Sequence, residues 1–191
     1  MEKIWNFCSF ICHQHLSHSF YIKDVQFPLC VRCTSLYLSC VVTIIVLLLY
    51  IKFYKISVFY TSTQGLLMLF FFMFLICIDV FTSYFGIYAS NNVSRVVTGF
   101  LCGSSFMILV YILLCIYCYR KFSSIYSITF LSVKKLIMLV CIISIFFLIL
   151  LYLFFTYTIF FFIVLFLCLV GYFLFYICIL CYLLFLVLKM E

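Results

Sequence analysis

Two short motifs place three thiols and several imidazoles in one polar stretch of the chain. Cys12-His13-Gln14 is followed by Pro28-Leu29-Cys30-Val31-Arg32-Cys33. Thiolate and neutral imidazole are the usual ligands of zinc, and structural sites take four of them in a tetrahedron. Cysteines at i and i+3 grip one ion through a tight turn, and a ligand from well upstream completes the set. Candidate ligands are therefore Cys12, His13, Cys30 and Cys33, with His15 and His18 as substitutes. Cys12 and His13 are adjacent, which suits one of the two to a supporting role behind the ligands. Arg32 is placed to offset the charge of several thiolates.

The same residues admit other chemistry. Cys30 and Cys33 suit a structural disulfide or a redox pair, with Cys12 or Cys8 resolving and Arg32 lowering a thiol pKa. A third alternative is a non-enzymatic membrane scaffold or transporter component, in which the cysteines are merely structural or have no special role. Spacing alone does not decide, because Cys-x-x-Cys recurs at Cys115/Cys118 and Cys178/Cys181. Those pairs lie in apolar runs, where cysteine behaves as a small hydrophobe.

Away from the thiols, Asp79 is an ionisable group inside an apolar run. Such a group is costly in lipid and faces the protein interior with a partner. Arg95 is the expected partner, and the pair would fix how two spans pack; a proton relay or an anchor for a charged head group is the alternative. Asn91 and Asn92 lie beside Arg95. Gly99 and Gly103 have the spacing that lets two membrane helices approach closely. No GxSxG, HExxH, Walker or dinucleotide fingerprint occurs.

The elements that must position these residues are set by composition. The 191 residues are 71% hydrophobic and 8% charged. A soluble domain of this length cannot hide so much apolar surface, since about half is usual. The expected class is all-α: one integral membrane domain over 1–191, with a polar Cys/His segment over 1–34. Five apolar runs, at 35–51, 65–85, 96–118, 136–156 and 159–187, approach or exceed the roughly 20 residues that cross a bilayer core. The uncharged stretch from Leu136 to Val187 is too long for one span and is expected to turn near Thr156-Tyr157-Thr158.

The net charge of +7 comes from basic residues at the ends of apolar runs, where they act as anchors against the lipid bilayer. No basic run resembles a nucleic-acid patch. No cleavable signal peptide is expected, because Ile4–Ile11 is short and broken by Asn6 and Ser9. Five spans put Lys3, Lys23, Arg32 and Arg95 on one face and Lys52, Lys55, Arg120, Lys121, Lys134, Lys135 and Lys189 on the other. The richer face is expected to be cytoplasmic, which makes the N-terminus exoplasmic. Whichever way the chain inserts, the Cys/His segment, Asp79 and the loop before Arg95 converge at one membrane surface.

These residues also resemble the signature of a family of small membrane proteins, domain of unknown function 2085. Its hallmark reads approximately CHQxxxRSFxxxxxQxPLCxRCTGxYxG, then an intramembrane Asp, then NxxRxxTGxxxG. Cys12-His13-Gln14, Ser19-Phe20, Gln26, Pro28-Leu29-Cys30, Arg32-Cys33-Thr34 and Tyr37 match the first part. Asp79 matches the acid, and Asn92, Arg95, Thr98, Gly99 and Gly103 match the second stretch. The chain departs from the pattern at His18, Ser35 and Val80. Loss of the turn glycine weakens a tight metal knuckle, and loss of the arginine at 18 removes one candidate anion contact. The resemblance implies that Cys12, His13, Cys30, Arg32, Cys33, Asp79, Asn92 and Arg95 form one site. It implies no activity.

Overall fold

In lipid a backbone amide has no water to bond, so an apolar run satisfies itself as a helix. The computed structural model describes residues 2–14, 18–22, 25–54, 58–121, 128–157 and 159–189, and it is mostly helical. A short helix, α1 (Glu2–Ser9), precedes a hairpin of β1 (Ser19–Ile22) and β2 (Val25–Cys30). Five long helices follow: α2 (Val31–Tyr54), α3 (Thr63–Tyr84), α4 (Asn92–Lys121), α5 (Val133–Thr156) and α6 (Ile159–Lys189). Each is long and apolar enough to cross a membrane. The expected turn after Thr156 falls between α5 and α6. His15, Lys23, Lys55 and Thr158 lie outside the described residues.

The first span begins earlier than hydropathy suggests, at Val31 rather than Ser35. Arg32, Thr34 and Ser35 lower the local hydropathy, yet their polar groups are satisfied where they stand. The Thr34 hydroxyl donates to the Cys30 carbonyl at 3.0 Å, and the Ser35 hydroxyl to Val31 at 2.9 Å. Cys30 therefore ends a strand, while Cys33 sits in the first turn of a membrane helix.

α2 and α4 form the interior. In each, 56% of the most apolar window is buried, against 17% in α3, 28% in α5 and 22% in α6. The outer helices present most of their apolar surface outward, as lipid-facing helices do. Two glycines set the distance between α2 and α4. A Cβ on Gly99 would lie 2.7 Å from the Arg32 carbonyl oxygen, and one on Gly103 would meet the Leu36 carbonyl. Across this contact the Ser35 hydroxyl donates to the Arg95 carbonyl at 3.2 Å. Gly99 and Gly103 thus tie the N-terminal turns of the two helices that carry Arg32 and Arg95.

α6 packs on another side of α2, where the Tyr37 and Tyr172 rings meet edge to face at 5.4 Å. The β1–β2 hairpin folds back over the α5–α6 turn. Phe27 lies fully buried between Phe154 and Phe161, with ring centroids 5.1 Å away in each case. Aromatic burial on this scale fixes the hairpin against the membrane end of the bundle.

Sequence periodicity does not reveal a second strand pair, β3 (Val58–Thr61) and β4 (Ile128–Leu131), which pair in parallel at the opposite end of the bundle. Each strand runs into a membrane helix, β3 into α3 and β4 into α5. Four-residue strands so far apart in sequence leave too few alternating positions to stand out from apolar helix.

Candidate metal centre and polar cleft

The Sγ atoms of Cys12, Cys30 and Cys33 lie within 4.8 Å of one another. Three elements bring them there. Cys12 follows α1, whose last turn is continued by the Cys12 amide donating to the Cys8 carbonyl at 2.9 Å. The chain then turns sharply at Gln14, whose φ of 45° lies in the left-handed region that a residue with a Cβ seldom occupies. Side-chain bonds hold this turn. Gln14 Nε2 donates to the Trp5 carbonyl at 2.9 Å and to the Pro28 carbonyl at 3.1 Å, so one amide ties α1 to β2. Gln26 Nε2 in turn donates to the Gln14 carbonyl at 3.3 Å and to the Ser19 hydroxyl at 3.0 Å.

The trio is prepared for negative charge on sulfur. The Cys30 amide donates to Cys12 Sγ at 3.1 Å. Hydrogen bonds from the Cys30 and Cys33 thiols pull the Cys12 thiol well below its usual range, against the opposing effect of burial. The Cys30 thiol shifts upward, chiefly because it serves Cys12 as donor. Cys8, buried nearby, is pushed up to about 11 by desolvation and stays a neutral thiol. No disulfide joins the described cysteines.

His13 is exposed and its ring nitrogens stand outside the sulfur cluster, so among the described residues the cluster holds three ligands rather than four. His13 and His18 instead line an adjoining cleft of about 460 Å³, together with Cys30, Arg32, Ser83 and Arg95. Cys30 is thus shared between sulfur cluster and cleft.

The ion pair differs from expectation. Asp79 is bonded by Arg32, not Arg95: Arg32 Nε lies 2.6 Å from Asp79 Oδ2, and Nη2 donates to the Asp79 backbone carbonyl at 3.2 Å. The Ser94 and Thr98 hydroxyls lie 3.5 and 3.4 Å from the carboxylate. Each has a carbonyl acceptor at 2.9 Å, so Arg32 is the partner that dominates. Arg32 therefore neutralises Asp79 rather than the thiolates. The reason is positional: Arg32 lies in the first turn of α2, facing the last turns of α3, whereas Arg95 lies one turn inside α4.

Arg95 is 4% exposed and is held by neutral groups. Its Nε donates to the Ser90 hydroxyl at 3.0 Å and its Nη1 to Asn92 Oδ1 at 3.5 Å. Arg32 Nη2 donates to the same Ser90 hydroxyl at 2.8 Å. Ser90 gives its own proton to Ser83 Oγ at 3.3 Å. Two guanidinium groups thus converge on one oxygen. Ser90, Gln14 and Gln26 carry much of this geometry, although charge and metal-ligand spacing single out none of them; Gln14 and Gln26 stand inside the Cys/His motif, whereas Ser90 lies just ahead of the Asn92–Gly103 stretch.

The loop that supplies Ser90 is defined at both ends. α3 stops at a left-handed glycine, Gly86 (φ 68°), with Ile87 N bonded to the Thr82 carbonyl and Gly86 N to that of Ser83. That is the paired C-terminal cap in which glycine relieves the Cβ clash. α4 starts with the Asn91 side chain accepting from Ser94 N at 2.8 Å.

No curated protein and no solved structure matches the chain. A family model described as predicted membrane protein, DUF2085, matches residues 12–109, which begins at the first cysteine of the trio and runs past Gly103 on α4. With the Cys/His segment, the buried acid and the arginine–glycine stretch all inside the matched half, the chain belongs to this family of predicted membrane proteins.

Proposed function

We propose that this integral membrane protein holds a metal ion, zinc by the chemistry of its ligands, on Cys12, Cys30 and Cys33. The observation that carries this is the gathering of three sulfurs within 4.8 Å from three separate elements. Thiolate-rich sets favour zinc among the common divalent ions. His13 and His18 line the cleft onto which Cys30 opens, so an imidazole or a water supplies the fourth position. The metal would staple α1, β2 and α2 together at the membrane surface, a structural role, with the cleft beside it as the place for any chemistry. Elemental analysis of the detergent-purified chain is expected to give about one zinc per chain. Replacing Cys30 and Cys33 by serine should abolish it, and His13→Ala should weaken retention against a chelator if His13 is the fourth ligand. Metal-free protein after purification without chelator would reject the proposal.

A second reading is favoured by the placement of Cys30 and Cys33 across the junction of β2 and α2, three residues apart with their sulfurs within 4.8 Å. Cys30 and Cys33 would then cycle as a dithiol and a disulfide, with Cys12 as the third thiol. Metal-free protein whose thiol count drops by two on mild oxidation, and recovers on reduction, selects this reading.

A further inference from the structure

We infer that the cleft beside the sulfur cluster binds a tetrahedral oxyanion, a phosphate or a phospholipid head group, with Arg95 as its anchor. Three observations carry it. First, the charges at the cleft do not balance. Arg32 and Arg95 both line it, and Asp79, the carboxylate these arginines face among the described residues, is already bonded by Arg32. Second, the two guanidinium groups lie within 3.0 Å of one neutral hydroxyl, that of Ser90. Holding like charges this close is unfavourable unless an electron-rich group screens them. Among the described residues, Arg32 Nη1 and Arg95 Nη2 have no acceptor, and both residues line the cleft. Third, the cleft lies at the N-termini of α2 and α4, neither of which carries an acidic residue in its first turn. Helix N-termini favour anions, and two arginines there intensify rather than cancel the positive field.

Arginine presents its N–H groups as a planar fork suited to the oxygens of a phosphate. A bridging oxyanion would take the acceptor role between the two forks that Ser90 now fills alone. His13 and His18 add ring N–H groups at the rim. The cleft also borders the exposed apolar side chains of Val80 and Tyr84, on the lipid-facing side of α3, within reach of a head group. None of this needs a metal on the thiols.

The full chain, delipidated in maltoside detergent, tests the inference in two arms. Native mass spectrometry with added phosphatidylglycerol reads head-group binding, and equilibrium dialysis with radiolabelled inorganic phosphate reads free phosphate. One ligand per chain in either arm, at least tenfold weaker in Arg95→Gln, is the expected result, and the arm that responds names the source. Ser83→Asp, which places a carboxylate beside Ser90 without removing a guanidinium, should likewise cut binding at least tenfold while helical content is retained. Absence of binding in both arms, or undiminished binding in Ser83→Asp, overturns it.

Discussion

Asp79, which is buried, and Arg32, which is partly exposed, form an ion pair whose carboxylate is costly without its partner. Taking both from water costs several kcal/mol per ion, and only close geometry offsets that cost. The 2.6 Å contact, backed by the Asp79 carbonyl and Ser90, supplies such geometry. Either single neutralisation, Arg32→Gln or Asp79→Asn, should therefore destabilise the protein by roughly 3 kcal/mol. The double replacement should cost less than the sum of the two, with a coupling of about 1–3 kcal/mol, read by unfolding in mixed detergent micelles. A coupling near zero would mean that the pair adds nothing beyond its two separate sites. At this scale the sequence was informative where chemistry is local. Cys30 and Cys33 are three residues apart, and their spacing alone brings them near one another. Partner choice was not legible. Asp79 is 47 residues from Arg32 and far closer in sequence to Arg95, and only the packing of α2 against the end of α3 decides between them.

Elements show the same division. Hydropathy located all five spans, because lipid leaves an uncharged run of this length few alternatives to a helix. It placed the start of α2 too late, since a polar first turn satisfied by its own hydroxyls looks like loop to a hydropathy window. It also passed over β3 and β4, whose pairing joins segments about 70 residues apart. Both strands lead into helices through a serine, but only one serine caps by side chain. Ser62 Oγ accepts from Gly65 N at 3.2 Å, whereas Ser132 makes no side-chain cap bond. Ser62→Ala should cost about 1 kcal/mol and Ser132→Ala clearly less, measured as the same unfolding transition. The α2–α4 contact offers a stronger test. At Gly103 any Cβ meets the Leu36 carbonyl, which cannot rotate away. Gly103→Leu should cost about 1–3 kcal/mol through forced backbone separation. It should also disturb the cleft, because the same helices carry Arg32 and Arg95.

At the scale of the whole molecule, five spans put the segment before α2 and the segment after α6 on opposite sides of the membrane. The sulfur cluster, the Arg32–Asp79 pair, Ser90 and Arg95 lie together at one end, with β3 and β4 at the other. That convergence was legible from sequence because it follows from counting spans, before any side-chain contact is known. Which compartment each end faces is a separate question. Counting spans in the sequence assigns seven basic residues to the β3–β4 face against four to the other, Lys23 and Lys55 lying outside the described residues. The excess favours a cytoplasmic β3–β4 end and an exoplasmic site. Epitope tags at the two termini, exposed to protease in intact cells, read this directly: the N-terminal tag should be cut and the C-terminal tag protected. The chemistry depends on the answer. On the exoplasmic side, free thiols face an oxidising compartment, so a trio that stays reduced there needs a bound metal to protect it. The opposite protection pattern would place Cys12, Cys30 and Cys33 in a reducing compartment, where reduced thiols need no such protection and the redox reading loses its oxidant.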